Sequence, residues 1–94
     1  MNKYEMLYIL DPKLAEEATE AQIEKYKALV TSSGGEVENV DKWGLKKLAY
    51  PIEKKSEGFY VLMTFTAASE LPLEIDRQVR ISDEVLRHII INKN

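Results

Sequence analysis

The chain has no cysteine, one histidine and one tryptophan, and only four glycines and three prolines in 94 residues. Without thiols there is no disulfide framework, thiolate zinc site or cysteine nucleophile, and a reducing compartment is the simplest fit. With one imidazole and no thiol, a transition-metal site of ordinary composition cannot be assembled. Long apolar runs are missing too. The longest, Met6 to Leu10 and Phe59 to Met63, fall well short of the roughly 18 residues that a membrane-spanning helix needs. Met1-Asn2-Lys3-Tyr4-Glu5 leads straight into a strand-like run, with neither the apolar stretch nor the cleavage site of a secretory signal. The expectations are a cytoplasmic protein with no membrane partner.

What is present points to one folded domain over residues 1–94. The hydrophobic fraction is 45%, with 13 Lys+Arg against 16 Asp+Glu and a net charge of −3. That composition excludes a disordered chain. A domain of this size buries roughly 60–65% of its unfolded surface.

Tyr4 to Leu10 is apolar and aromatic and is closed by Asp11-Pro12, as a strand ended by a residue without a backbone donor. From Glu16 to Ser32 the residues Thr19, Ile23, Tyr26 and Val30 recur by four, three and four, the stripe of an amphipathic helix. Its first turns are acidic, which suits the positive end of the helix dipole, and Gly34-Gly35 can adopt the left-handed conformation that stops a helix. A second strand runs from Glu36 to Ile52, interrupted at Gly44, with Pro51 implying an edge position. A hairpin over Lys54 to Gly58 returns the chain into Gly58 to Phe65, apolar on both faces. Ser69 is placed to cap a second helix with Pro72 in its first turn and Leu71, Ile75, Gln78 and Val79 on its inner stripe. Val85 to Ile91, ending in three isoleucines, gives the last strand.

The order β-α-β-β-α-β, with right-handed crossovers, gives an α+β, ferredoxin-like domain. It is a four-stranded antiparallel sheet with two helices on one face. Function then falls to the open face, which receives residues such as Glu5, Leu7 and Ile9.

No catalytic constellation is legible. A catalytic site needs a nucleophile beside a base, paired carboxylates or a metal cluster, whereas His88 sits in the last strand beside Arg87 without a readable orienting partner. Glu16, Glu17, Glu20 and Glu24 read as a solvated helix face. Gly34-Gly35 follows a helix and precedes a strand, the reverse of the order in a phosphate cradle. Acylphosphatase chemistry on this fold needs an Arg after the first strand, where this chain has Asp11-Pro12-Lys13. No enzyme activity, cofactor, metal or small-molecule substrate is expected.

Charge is unevenly spread. Residues 1–41 hold four basic and nine acidic groups, whereas residues 42–55 hold five basic and one acidic. Lys42, Lys46, Lys47, Lys54, Lys55, Arg80 and Arg87, with Trp43 and Tyr50 interleaved, form the type of patch that meets phosphates and stacks on bases or on a partner's side chains. Three to five phosphate contacts give a salt slope of only about −3 to −4, so tight binding needs a second protein or a shaped RNA. Lys46 and Lys47 also suit the protection of an exposed edge strand. An RNA-recognition motif shares the element order. Of its strand-three signature, however, Glu57 to Thr64 matches only at Gly58 and Phe59.

Trp43-Gly44-Leu45-Lys46-Lys47-Leu48-Ala49-Tyr50-Pro51-Ile52, with Lys3-Tyr4-Glu5, Glu57-Gly58-Phe59-Tyr60 and Ile81 to His88, resembles, nearly end to end, the bacterial ribosomal protein S-six family, the sixth protein of the small subunit. The resemblance implies a structural, non-catalytic protein of the ribosome. It would pair with ribosomal protein S-eighteen and bind the central domain of small-subunit ribosomal RNA during assembly. It also implies that Asn2, Lys3, Lys46, Lys47, Arg87 and His88 form the RNA and partner surface. Relatives carry a basic residue where this chain has Asn2. Many continue into a tail beyond Lys93-Asn94, so a partner contact made by such a tail is not expected here.

Overall fold

In a computed structural model the chain forms β1 (Asn2–Leu10), α1 (Glu16–Ser32), β2 (Glu36–Ile52), β3 (Lys55–Ala67), α2 (Leu71–Arg80) and β4 (Val85–Asn92). The structure describes residues 1–52 and 55–93, with the backbone alone for 49–52 and 55. The expectations for Lys54 and for the Tyr50 and Lys55 side chains lie outside the described residues.

All strand pairs are antiparallel, in the order β2-β3-β1-β4. Both helices pack on one face, which gives the ferredoxin-like arrangement. Period-two alternation decides which side chains are covered. Tyr4, Met6, Tyr8 and Leu10 of β1 meet Phe65, Met63, Val61 and Phe59 of β3. These join Ile23, Tyr26 and Val30 of α1 and Leu71, Ile75 and Val79 of α2 in one core. The expected stripe of α1, Thr19 included, is the buried one.

Three local readings change. Ser69 does not cap α2. The N-cap is Glu70 with no side-chain bond, because a tight backbone turn, Leu71 N–H to the Ala68 carbonyl at 3.1 Å, leads into the helix instead. Of the two glycines after α1 only Gly34 is left-handed, at φ 89°. Gly35 serves close packing, since a Cβ there would lie 2.6 Å from the Thr66 carbonyl oxygen. β3 also starts earlier than expected, with Ile52 paired to Lys55, so Ser56 to Gly58 belong to the strand.

Tyr8 and Tyr26 meet edge to face, with centroids 5.4 Å apart. Neither hydroxyl has a hydrogen-bond partner among the described residues. Burial pushes the Tyr8 phenol well above the usual range, with Tyr26 and Glu20 adding to it. Burial also raises Tyr26, offset in part by the nearby but unbonded Ser82 hydroxyl. The neutral phenols therefore stabilise the fold fully below the free tyrosine range, and that contribution is lost as pH rises. Urea denaturation is expected to show stability falling above about pH 10, and the Tyr8→Phe/Tyr26→Phe variant should lose much of that fall. An equally steep fall in the variant would contradict the assignment.

A second prediction concerns Gly58, where a Cβ would collide with Ile9 Cγ2 on the open face. Gly58→Ala should destabilise by about 1–3 kcal/mol, read as a lower denaturation midpoint. An unchanged midpoint would show that Ile9 moves aside freely.

Candidate nucleic-acid and partner interface

The helices leave the other face of the sheet open, and its side chains fall into rows set by the strand register. Arg87, Ile9, Tyr60 and Gly44 form one row, and Ile89, Leu7, Leu62 and Asp41 the next. Ile91, Glu5, Thr64 and Asn39 follow. The face is thus apolar at its centre, with Ile89 and Ile91 exposed at one edge.

Two bulges in β2 alter this face. At each, the strand carries one more residue than its partner, and the extra side chains are Glu38 and Trp43. Glu38 accepts a hydrogen bond from Thr66 Oγ1 at 2.7 Å and pairs with Lys3 Nζ at 3.1 Å. The Thr66 hydroxyl, then Lys3, hold the Glu38 carboxyl below the usual carboxylate range. At the second bulge Gly44 sits at φ 84°, a conformation that costs a residue with a Cβ about 1–2 kcal/mol. Gly44 also puts no side chain over Tyr60. Trp43 lies across that ring instead, with planes 11° apart and centroids at 6.3 Å. The Trp43 indole N–H donates to Asp41 Oδ2 at 3.2 Å, fixing the ring.

The structure does not gather the six residues singled out from the sequence at one point. Arg87 and Lys46 share the open face at one end of the sheet, about 15 Å apart at the 4.8 Å strand spacing. Lys3 is on the same face about 20 Å away along β1 and is tied to Glu38. Asn2 turns to the helix side and donates to the Tyr4 hydroxyl at 3.1 Å. Lys47 also points to the helix side, opposite Glu57 in the ladder. His88 faces α2, its Nε2 2.7 Å from Asp76 Oδ1, a carboxylate that also receives Arg80 Nε at 2.9 Å.

Pairing separates the cations further. Lys3, Lys27, Lys42, Arg77 and Arg80 each have a carboxylate partner. Lys46, Lys47 and Arg87 have no ion pair among the described residues and are exposed. A cation without an internal partner can take a phosphate or a partner's carboxylate without first breaking a bond.

Sequence reasoning missed Glu38 and Thr66, because a bulge leaves no mark in the hydrophobic pattern. Phe59, one of two matches to the RNA-recognition signature, packs toward the core and offers no platform on the open face. Among the described residues no cluster of three or more His, Asp or Glu could hold a metal ion. No helix there is long and apolar enough to cross a membrane.

Neighbouring Arg87 and His88 should respond differently. Arg87→Ala is expected to leave stability within about 0.5 kcal/mol, whereas His88→Ala should cost about 1 kcal/mol or more through the lost bond to Asp76. Urea denaturation checks both, and an equal loss in the two variants would contradict the division.

A family profile described as Ribosomal protein S6 matches residues 3–92. The small ribosomal subunit protein bS6 of Clostridium acetobutylicum is 55% identical over 92 residues, 98% of this chain and 97% of that protein. The Clostridium beijerinckii protein of the same name is 57% identical over 93 residues, 99% of this chain and 98% of its own length. A crystal structure of 30S ribosomal protein S6 from Thermotoga maritima superposes with a TM-score of 0.92 at 27% identity. It covers 98% of this chain and 87% of that one.

Proposed function

Since the chain belongs to the Ribosomal protein S6 family, we propose that it acts as a single domain and a structural component of the small ribosomal subunit. It is not an enzyme. In this reading it binds the central domain of small-subunit ribosomal RNA cooperatively with ribosomal protein S-eighteen, in the cytoplasm.

The observation that carries this reading is Lys46 and Lys47 on edge strand β2, exposed and without an ion pair among the described residues, together with Arg87 at the other edge of the sheet. These side chains fix register through phosphates, and the apolar open face buries against the protein partner. Lys3, already neutralised by Glu38, adds less attraction, and Asn2 offers an amide rather than a charge. His88 acts at one remove, by holding β4 against α2. With a net charge of −3 and few free cations, the protein has little RNA affinity of its own. Sharing a site with a basic partner supplies the deficit through effective concentration.

The test is binding to the central-domain RNA fragment with this chain alone, the partner alone, and both. Joint binding at least about tenfold tighter than either alone is expected, tenfold being about 1.4 kcal/mol. Lys46→Ala/Lys47→Ala should weaken joint binding and reduce the salt slope by about two, one for each phosphate contact, without unfolding the chain. Joint binding no tighter than the partner's own, or an unchanged salt slope, would reject the reading.

A further inference from the structure

Trp43 has no assigned role in this scheme, yet its setting is specific. The bulge turns it onto the open face, Tyr60 supports one face of the indole in a nearly parallel stack, and Asp41 holds its N–H. The side chain nevertheless remains 43% exposed. A large aromatic ring that is oriented from below and open above is a stacking platform rather than core. Beside it is a shallow hollow of about 550 Å³ whose described lining is Trp43 and Lys46. Lys46 has no ion pair among the described residues, and Arg87 lies in the same row of the sheet as Tyr60.

Building on the RNA-binding reading, we infer that the outer face of Trp43 stacks an unpaired base of the bound RNA, with the Lys46 ammonium on an adjacent phosphate. The Asp41 contact uses the one indole hydrogen-bond donor, leaving the π face for recognition. Stacking of this kind is tolerant of base identity, because every base has a π face. A flat, cation-flanked ring matches a nucleobase better than it matches the branched aliphatic side chains of a protein partner, which fit the Leu7, Leu62 and Ile89 row.

Trp43 is the chain's single tryptophan, so emission excited beyond tyrosine absorption reports this ring alone. The folded chain is titrated at low salt with an adenylate hexaribonucleotide and with an abasic hexamer carrying the same phosphates. Adenylate is expected to quench the emission saturably and to bind about tenfold more tightly than the abasic chain. With affinities read from the anisotropy of dye-labelled hexamers, because replacing Trp43 removes the emission, Trp43→Ala should remove that preference, Trp43→Phe should keep much of it, and Lys46→Ala should weaken both oligomers alike. Equal affinities with unchanged emission would overturn the inference. If the central-domain fragment still bound with a salt slope dependent on Lys46 and Lys47, the RNA-binding reading would survive that result; if no RNA bound, both would fall. Quenching by the basic partner protein with both hexamers silent would assign Trp43 to the protein contact and equally overturn it.

Discussion

A sheet covered by helices on one side can bury only alternate residues of each strand, and the rest of this molecule follows from that constraint. Tyr4, Met6, Tyr8 and Leu10, with Val61, Met63 and Phe65, take the covered positions and form the core. Their neighbours, Leu7, Ile9, Tyr60 and Leu62, occupy the uncovered side. That side is too apolar to be a mere solvated surface, and both edges of the sheet lie beside it. The free cations Lys46 and Arg87 stand at those two edges. The fold therefore offers a ready contact surface.

Pairing, rather than the number of basic residues, decides what this acidic chain can offer RNA. Lys42 is bound to Glu20 of α1, and Arg77 and Arg80 to carboxylates of their own helix. They are part of how the surface holds itself together. Glu38, drawn onto the open face by a bulge, removes Lys3 in the same way. Of the cations on the sheet's open face, Lys46 and Arg87 are left without an ion pair among the described residues, with Lys46 next to an aromatic stack. So limited an electrostatic footprint suits a protein that binds together with a partner rather than alone.

The element order, the stripe of α1 and the interruption at Gly44 were legible in the sequence because each rests on hydrophobic periodicity or on a residue with a special backbone. The lack of disulfides and of a cysteine nucleophile was legible from composition. The assignment of Ser69 as a cap failed because a backbone turn competes with side-chain capping and leaves no compositional mark. Side-chain facing within the candidate site was harder still. Arg87 and His88 are adjacent in sequence and so point to opposite faces of β4. Only the register shows that His88 meets Asp76. The bulges at Glu38 and Trp43 shift the alternation by one residue each, so strict alternation misplaces Val40, Asp41 and Lys42 between them, and the two shifts cancel again before Lys46 and Lys47.

Amide hydrogen exchange on the chain, free and within the assembled small subunit, tests the claim that the open face and sheet edges are the contact surface. New protection is expected in β2 around Trp43 to Leu48 and in β4 around Arg87 to Ile91, with the solvent sides of α1 and α2 unchanged. Protection concentrated on the helices, with both edge strands exchanging as in the free protein, would contradict it.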